Sequence, residues 1–189
     1  MKKIITIKNE KDYKIFLNKL IFYKTFLYRN VDFELESDLD NYFIEFIIEA
    51  LNIKKREDRI AFVYDIACDY IDEEMKNINI CDFKNNRCFI QRKCNSDKNN
   101  GCCHSCIYQV NKRCTTKNIS CKLFFCPSGR KKSKSIIKVK DIDILRLYSI
   151  RQRMIIRVDF YTSREEVLKD LKSYLFFNSI MNALNRDNY

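Results

Sequence analysis

The chain has 189 residues, 46% of them hydrophobic, and a net charge of +11. That is enough length and apolar content for a core, in one domain or one domain with an insertion, which excludes general disorder and a fold dependent on disulfides. Two glycines and one proline are too few for the tight turns of an all-β sandwich or barrel, so long helices are expected.

The chain begins MKKIITIKNEKDYK. Residues 3–7 read as a short strand or a lead-in. The apolar run is too short for the core of a signal peptide and no small-residue cleavage site follows it. No stretch reaches 18 uncharged apolar residues, so no membrane span is expected. The expected compartment is the cytoplasm, where thiols stay reduced and clustered cysteines serve metal binding or redox work.

Residues 9–29 carry Tyr13, Phe16, Leu17, Leu20, Tyr23, Phe26 and Leu27 at three-to-four spacing, which predicts a helix with one apolar face. Ser37 is the expected N-cap of a second helix, with Leu39, Phe43, Phe46, Ile47 and Leu51 as its stripe. Residues 56–77 give a third helix, with Ile60, Val63, Tyr64, Ala67, Cys68 and Ile71 facing inward. Cys68 reads there as a small buried hydrophobe.

From 78 to 129 the periodicity is lost. The segment is rich in Asn, Lys, Ser and Cys and is too long for a structureless loop in a compact domain. Metal is the simplest agent that would order it. Residues 130–140 read as a basic linker ending in a short strand, and residues 141–157 as a helix through Ile144, Leu147, Tyr148, Arg151 and Ile155. Ser163-Arg164-Glu165-Glu166 is a capping box opening a last helix through Val167, Leu171, Tyr174, Leu175, Ile180 and Leu184. The expected fold is mainly α: about five helices carrying a cysteine-rich, metal-ordered, largely irregular insertion. The division is 1–77, a helical part; 78–129, the insertion; and 130–189, a basic linker and C-terminal helices that pack with 1–77 as one domain.

Nine of the ten cysteines lie within residues 81–126. A tetrahedral thiolate site takes close pairs, each delivered by one turn, brought together by a longer loop. Cys103-x2-Cys106 and Cys121-x4-Cys126 fit that pattern and are the expected first site. Cys81, Cys88, Cys94, Cys102 and Cys114 suffice for a second, with the assignment of Cys102 and Cys103 left open. The spacing contains neither the C-x2-C-x2-C-x3-C run of bacterial ferredoxins nor the C-x3-C-x2-C run of radical enzymes that use S-adenosylmethionine. Zinc is the favoured metal, as the common occupant of closed four-thiolate sites, with an iron–sulfur cluster as the alternative. The one histidine, His104, lies among surplus cysteines and reads as an exposed loop imidazole.

Charge divides the chain as well. Counting Lys and Arg against Asp and Glu, residues 31–77 carry −9, residues 78–129 carry +7 and residues 130–157 carry +8. Asp65, Asp69, Asp72 and Glu73 share a face of the third helix, read as solvated or as the dock for the basic insertion. Arg130, Lys131, Lys132 and Lys134 follow the last cysteine, and Lys138, Lys140, Arg146, Arg151, Arg153 and Arg157 continue the block. These residues are candidates to contact nucleic acid or an acidic protein partner, with Tyr108, Phe124 and Phe125 placed to stack bases. No dinucleotide fingerprint, P-loop or nucleophile elbow occurs. With a single histidine, no convincing catalytic set emerges, and the reading leans to a protein that is not an enzyme. Its expected function is metal binding, with zinc, plus contact through a basic surface; the alternative is an iron–sulfur protein in electron transfer or redox sensing.

Overall fold

A strand, Lys2–Ile7 (β1), opens the chain and runs parallel to Asp32–Ser37 (β2), with Lys2 opposite Asp32 and Ile7 opposite Ser37. The computed structural model describes residues 1–77, 109–110, 113–114, 116–124 and 137–173. In β1, Ile5 and Ile7 are buried while Ile4 faces out, the alternation expected of a strand with one covered face. Parallel strands need a long crossover. Here it is the helix Glu10–Phe22 (α1), capped by the Asn9 side chain, which accepts from the backbone N–H of Lys11 and Asp12.

The scaffold is mainly helical as expected, but β2 is a strand where none was expected. Val31, Phe33 and Leu35 alternate with Asp32, Glu34 and Glu36, a period-2 signal. Ser37 ends that strand instead of capping a helix, since the following residue, Asp38, donates its N–H to the Ile7 carbonyl. The second helix starts later, as Tyr42–Asn52 (α2), capped by Asn41 accepting from Phe43 N–H at 2.9 Å. The last residue of α2 supports the strand in return. Asn52 Oδ1 accepts from Phe33 N–H and Asn52 Nδ2 donates to the Phe33 carbonyl, both at 2.8 Å. The side-chain amide thus occupies the edge that a third strand would pair.

α1 runs into a π-helical turn, Tyr23–Leu27, closed by Tyr28 N–H donating to the Tyr23 carbonyl at 3.0 Å. The wider turn shifts the phase of the apolar stripe. Tyr13, Phe16, Leu17, Leu20 and Tyr23 are buried as expected, but Phe26 is 68% exposed and lies against Phe22, ring centroids 5.4 Å apart.

The third helix, Arg56–Asn77 (α3), buries Ile60, Val63, Tyr64, Ala67, Cys68 and Ile71, the whole expected face. Gln109–Val110 (β3) and Arg113–Cys114 (β4) pair as a short antiparallel ladder. Ile119–Lys122 (α4) follows. The expected helix over 141–157 is divided, opening with 3₁₀ turns at Val139–Asp141 and Asp143–Leu147, and the described end of the basic linker, residues 137–140, forms no strand. Tyr148 then adopts an extended conformation, and Ile150–Val158 (α5) begins anew. The break lets buried Tyr148 donate its hydroxyl to the Ile60 carbonyl at 2.7 Å. The capping box at Ser163 is formed on both sides, Ser163 N–H to Glu166 at 2.7 Å and Glu166 N–H to Ser163 at 3.2 Å, opening Arg164–Lys172 (α6). That helix ends at Lys172, where Ser173 turns extended, instead of running on as expected; Tyr174, Leu175, Ile180 and Leu184 lie outside the described residues.

Two compact units result. The first comprises residues 1–67 and 140–153, the second residues 68–139 and 154–189. The core of the first unit is Ile7, Leu20, Phe33, Ile44, Ile47, Leu51 and Tyr64, with Ile144 and Leu145 from the 3₁₀ turn. That of the second includes Cys68, Ile71, Ile119, Ile155, Ile156, Val167 and Leu171. No helix among the described residues is long and apolar enough to cross a membrane.

Candidate functional site

In the second unit residues 116–124 of the cysteine-rich segment are held by polar and ionic ties. One tie is polar. Asn118 is fully buried, and its Nδ2 donates to the Asp159 carbonyl at 2.8 Å and to Thr162 Oγ1 at 3.0 Å. Its Oδ1 accepts from Cys121 N–H at 2.9 Å. Thr162 passes the chain on, donating to Asp159 Oδ1 at 2.7 Å, and Ser120 donates to the Ile156 carbonyl at 2.6 Å. A buried amide that uses both ends in this way is costly to replace.

The other tie is ionic. Lys122 pairs with Asp72 of α3 while its own side chain is only 4% exposed, and Lys117 lies 3.7 Å from Asp69. Of the two readings of the acidic stripe, the structure gives Asp69 and Asp72 to the second: this face docks lysines of the cysteine-rich segment. Lys122 buries its stem against the unit and carries its ammonium to a half-exposed carboxylate.

Cys121 sits at the meeting of these ties. Its Sγ accepts the Tyr161 N–H at 3.1 Å. Tyr161 has φ 62°, the left-handed region, and is the one non-glycine residue there among those described. That conformation is uncommon for an aromatic residue, and it turns this N–H onto the sulfur. A backbone donor aimed at sulfur stabilises negative charge on it, the polarity a metal-bound thiolate requires. Neither Cys68 nor Cys121 is in a disulfide. Cys68 is buried in the α3 face, as expected.

Cys114 is placed by its backbone in β4, opposite Gln109. Cys81, Cys88, Cys94, Cys102, Cys103, Cys106 and Cys126 lie outside the described residues, as do His104, Tyr108, Phe125, Arg130, Lys131, Lys132 and Lys134. Among the described residues no group of three His, Cys, Asp or Glu side chains is arranged to hold a metal ion. Phe124, expected to be available for stacking, has its ring 5.7 Å from that of Phe160, edge to face. Of the basic block, Lys138, Lys140, Arg151 and Arg157 are exposed and Arg153 is half-buried. Arg146 pairs with Asp143 at 3.1 Å.

Sequence reasoning missed a second grouping of charge, in the first unit. Lys24, in the π turn, donates to the Leu147 carbonyl at 2.8 Å. Its ammonium is pushed down to about 8 by burial first, and then by the neighbouring guanidinium groups of Arg153 and Arg59. The Arg59 guanidinium lies 4.1 Å from the centroid of the Tyr28 ring and donates to the Ile53 carbonyl at 3.1 Å. Spacing could not have revealed this set, whose members are 35 and 94 residues apart in sequence.

No family model, no curated protein and no solved structure matches this chain. The functional reading therefore rests on its own residues.

Proposed function

We propose that residues 78–129 form a thiolate metal module holding zinc, and that the basic surface beside it meets nucleic acid or an acidic protein partner. The observation that carries the proposal is nine cysteines within residues 81–126 of a chain with 46% hydrophobic residues. A core of that size removes the need for a disulfide framework, and the cysteine density then points to metal. Cys103, Cys106, Cys121 and Cys126 are the first ligand set, with Cys81, Cys88, Cys94, Cys102 and Cys114 supplying a second. Zinc would act structurally, closing four thiolates into a tetrahedron and ordering a segment that lacks a helical or strand periodicity of its own. The N–H donated to Cys121 supports the assignment of that residue. Contact with the partner falls to Arg130, Lys131, Lys132, Lys134, Arg151 and Arg153.

The test is purification of the full chain without oxygen or chelator, followed by elemental analysis and an absorption spectrum. Zinc in a colourless solution, reduced in content by Cys121→Ser, is the expected result. Iron with acid-labile sulfide would replace zinc by a cluster and move the function to redox chemistry. Absence of both metals would overturn the module. Charge reversal at 130–134 separately tests the partner: the fold should remain while binding weakens and loses part of its salt dependence.

A further inference from the structure

Three segments of the first unit are pinned together, and each delivers one cation to the junction. The π turn brings Lys24, tied to the Leu147 carbonyl at 2.8 Å. Tyr28 lies four residues further on, one turn along the same face, and holds the Arg59 guanidinium 4.1 Å above its ring. Tyr148, next to Leu147, donates to the carbonyl of Ile60, next to Arg59, at 2.7 Å. That bond brings the start of α3 beside the start of α5, where Arg153 stands less than one turn in. Lys24 feels both guanidinium groups, Arg153 and Arg59, so three cations from separate parts of the chain share this neighbourhood.

No carboxylate among the described residues pairs with any of the three. The acids closest in sequence to these segments have partners of their own: Asp32 with Lys54 at 2.9 Å, Asp58 with Lys55 at 3.5 Å, and Asp143 with Arg146 and the Tyr13 hydroxyl. Lys24 and Arg59 spend donors on carbonyl oxygens, which leave the positive charge uncancelled. Lys24 and the two guanidinium groups that repel it, all half-buried, cost free energy in the folded state unless an anion joins them. Two guanidinium forks and an ammonium supply charge and directed donors for a tetrahedral oxyanion.

We propose that Lys24, Arg59 and Arg153 form a binding site for a phosphate group. The site shares Arg153 with the proposed partner contact and uses none of the cysteines, so it does not depend on the metal reading. The phosphate comes either from a free phosphate ion or from the backbone of a nucleic acid, and the two sources share this chemistry.

The test is titration calorimetry of the full chain, as purified, in chloride buffer, with inorganic phosphate and with a single-stranded oligonucleotide. Saturable binding of one or both is expected, with Kd raised about tenfold or more by Arg153→Gln, the change expected for losing a charge-assisted contact. Lys24→Met should act in the same direction, and because Lys24 also fastens the π turn, its fold is checked by circular dichroism. Lys19→Gln, an equal loss of charge at an exposed position of α1, should leave Kd within twofold. Phosphate binding that the oligonucleotide displaces from the same residues assigns the site to a nucleic-acid backbone; phosphate binding alone assigns it to the free ion. No saturable binding of either, or equal losses in Arg153→Gln and Lys19→Gln, would overturn the proposal.

Discussion

Lys24 concentrates the electrostatics of the first unit in one side chain. Its ordinary value is 10.5, and burial with two guanidinium neighbours lowers it to about 8. Between those values the folded chain has released the proton while the unfolded chain still holds it. Stability therefore rises with pH across that window, because the unfolded state binds more protons there. Below it, the cost of the buried ammonium is present in full. We expect the difference in unfolding free energy between the natural chain and Lys24→Met to shift toward the natural chain as pH rises from about 8 to 10.5. Urea titrations at several pH values would read it, and a difference constant with pH would refute the burial argument. Tyr13 behaves in the opposite sense. Burial first, and then the Asp143 carboxylate that accepts its hydroxyl at 3.0 Å, push its ionisation above the ordinary range.

Among the elements, α4 is the one whose presence is least self-explanatory. Four residues cannot sustain a helix in water, so Ile119–Lys122 depends on what fixes it. Asn118 caps it by accepting from Cys121 N–H and fastens it to the 159–162 turn through Nδ2. Replacing Asn118 with Ala would leave the Asp159 carbonyl without this donor and remove the cap. The expected loss is about 2–4 kcal/mol, measurable as a shift of the urea midpoint. A loss below about 0.5 kcal/mol, the range of neutral surface changes, would show that the network is incidental. Longer elements need no such support. α3 was legible from Ile60 to Ile71 because a 22-residue helix repeats its apolar face often enough to be read. β2 was obscured because six residues of alternating charge and apolar character adjoin a much stronger helical pattern. The break at Tyr148 was not legible either. It is decided by the reach of that side chain to Ile60, a contact spanning 88 positions.

For the molecule as a whole, the two units should respond differently to loss of metal. The first unit has a core of aliphatic and aromatic side chains that requires none. The second contains the cysteine-rich segment. Under the proposed function, chelation should abolish hydrogen-exchange protection at the Cys121, Lys122 and Leu123 amides, while the Asp32 and Asp38 amides that join β2 to β1 stay protected. Equal loss in both regions, or in neither, would contradict a metal confined to ordering the insertion.

The sequence by itself determined the mainly helical character, the face of α3, the capping box at Ser163 and the burial of Cys68. Each of these is written in local spacing, because a helix repeats within four residues and a cap within three. It also set out the nine clustered cysteines and the opposed acidic and basic segments, the observations on which the proposed metal and partner rest. Only the tertiary structure decided that β1 and β2 pair in parallel across α1, that Asp69 and Asp72 receive Lys117 and Lys122, and that a backbone N–H meets Cys121. It alone brought Lys24, Arg59 and Arg153 together. These contacts join residues tens of positions apart. Their energies depend on burial and on which charges are left uncancelled, and neither quantity exists until the chain has folded.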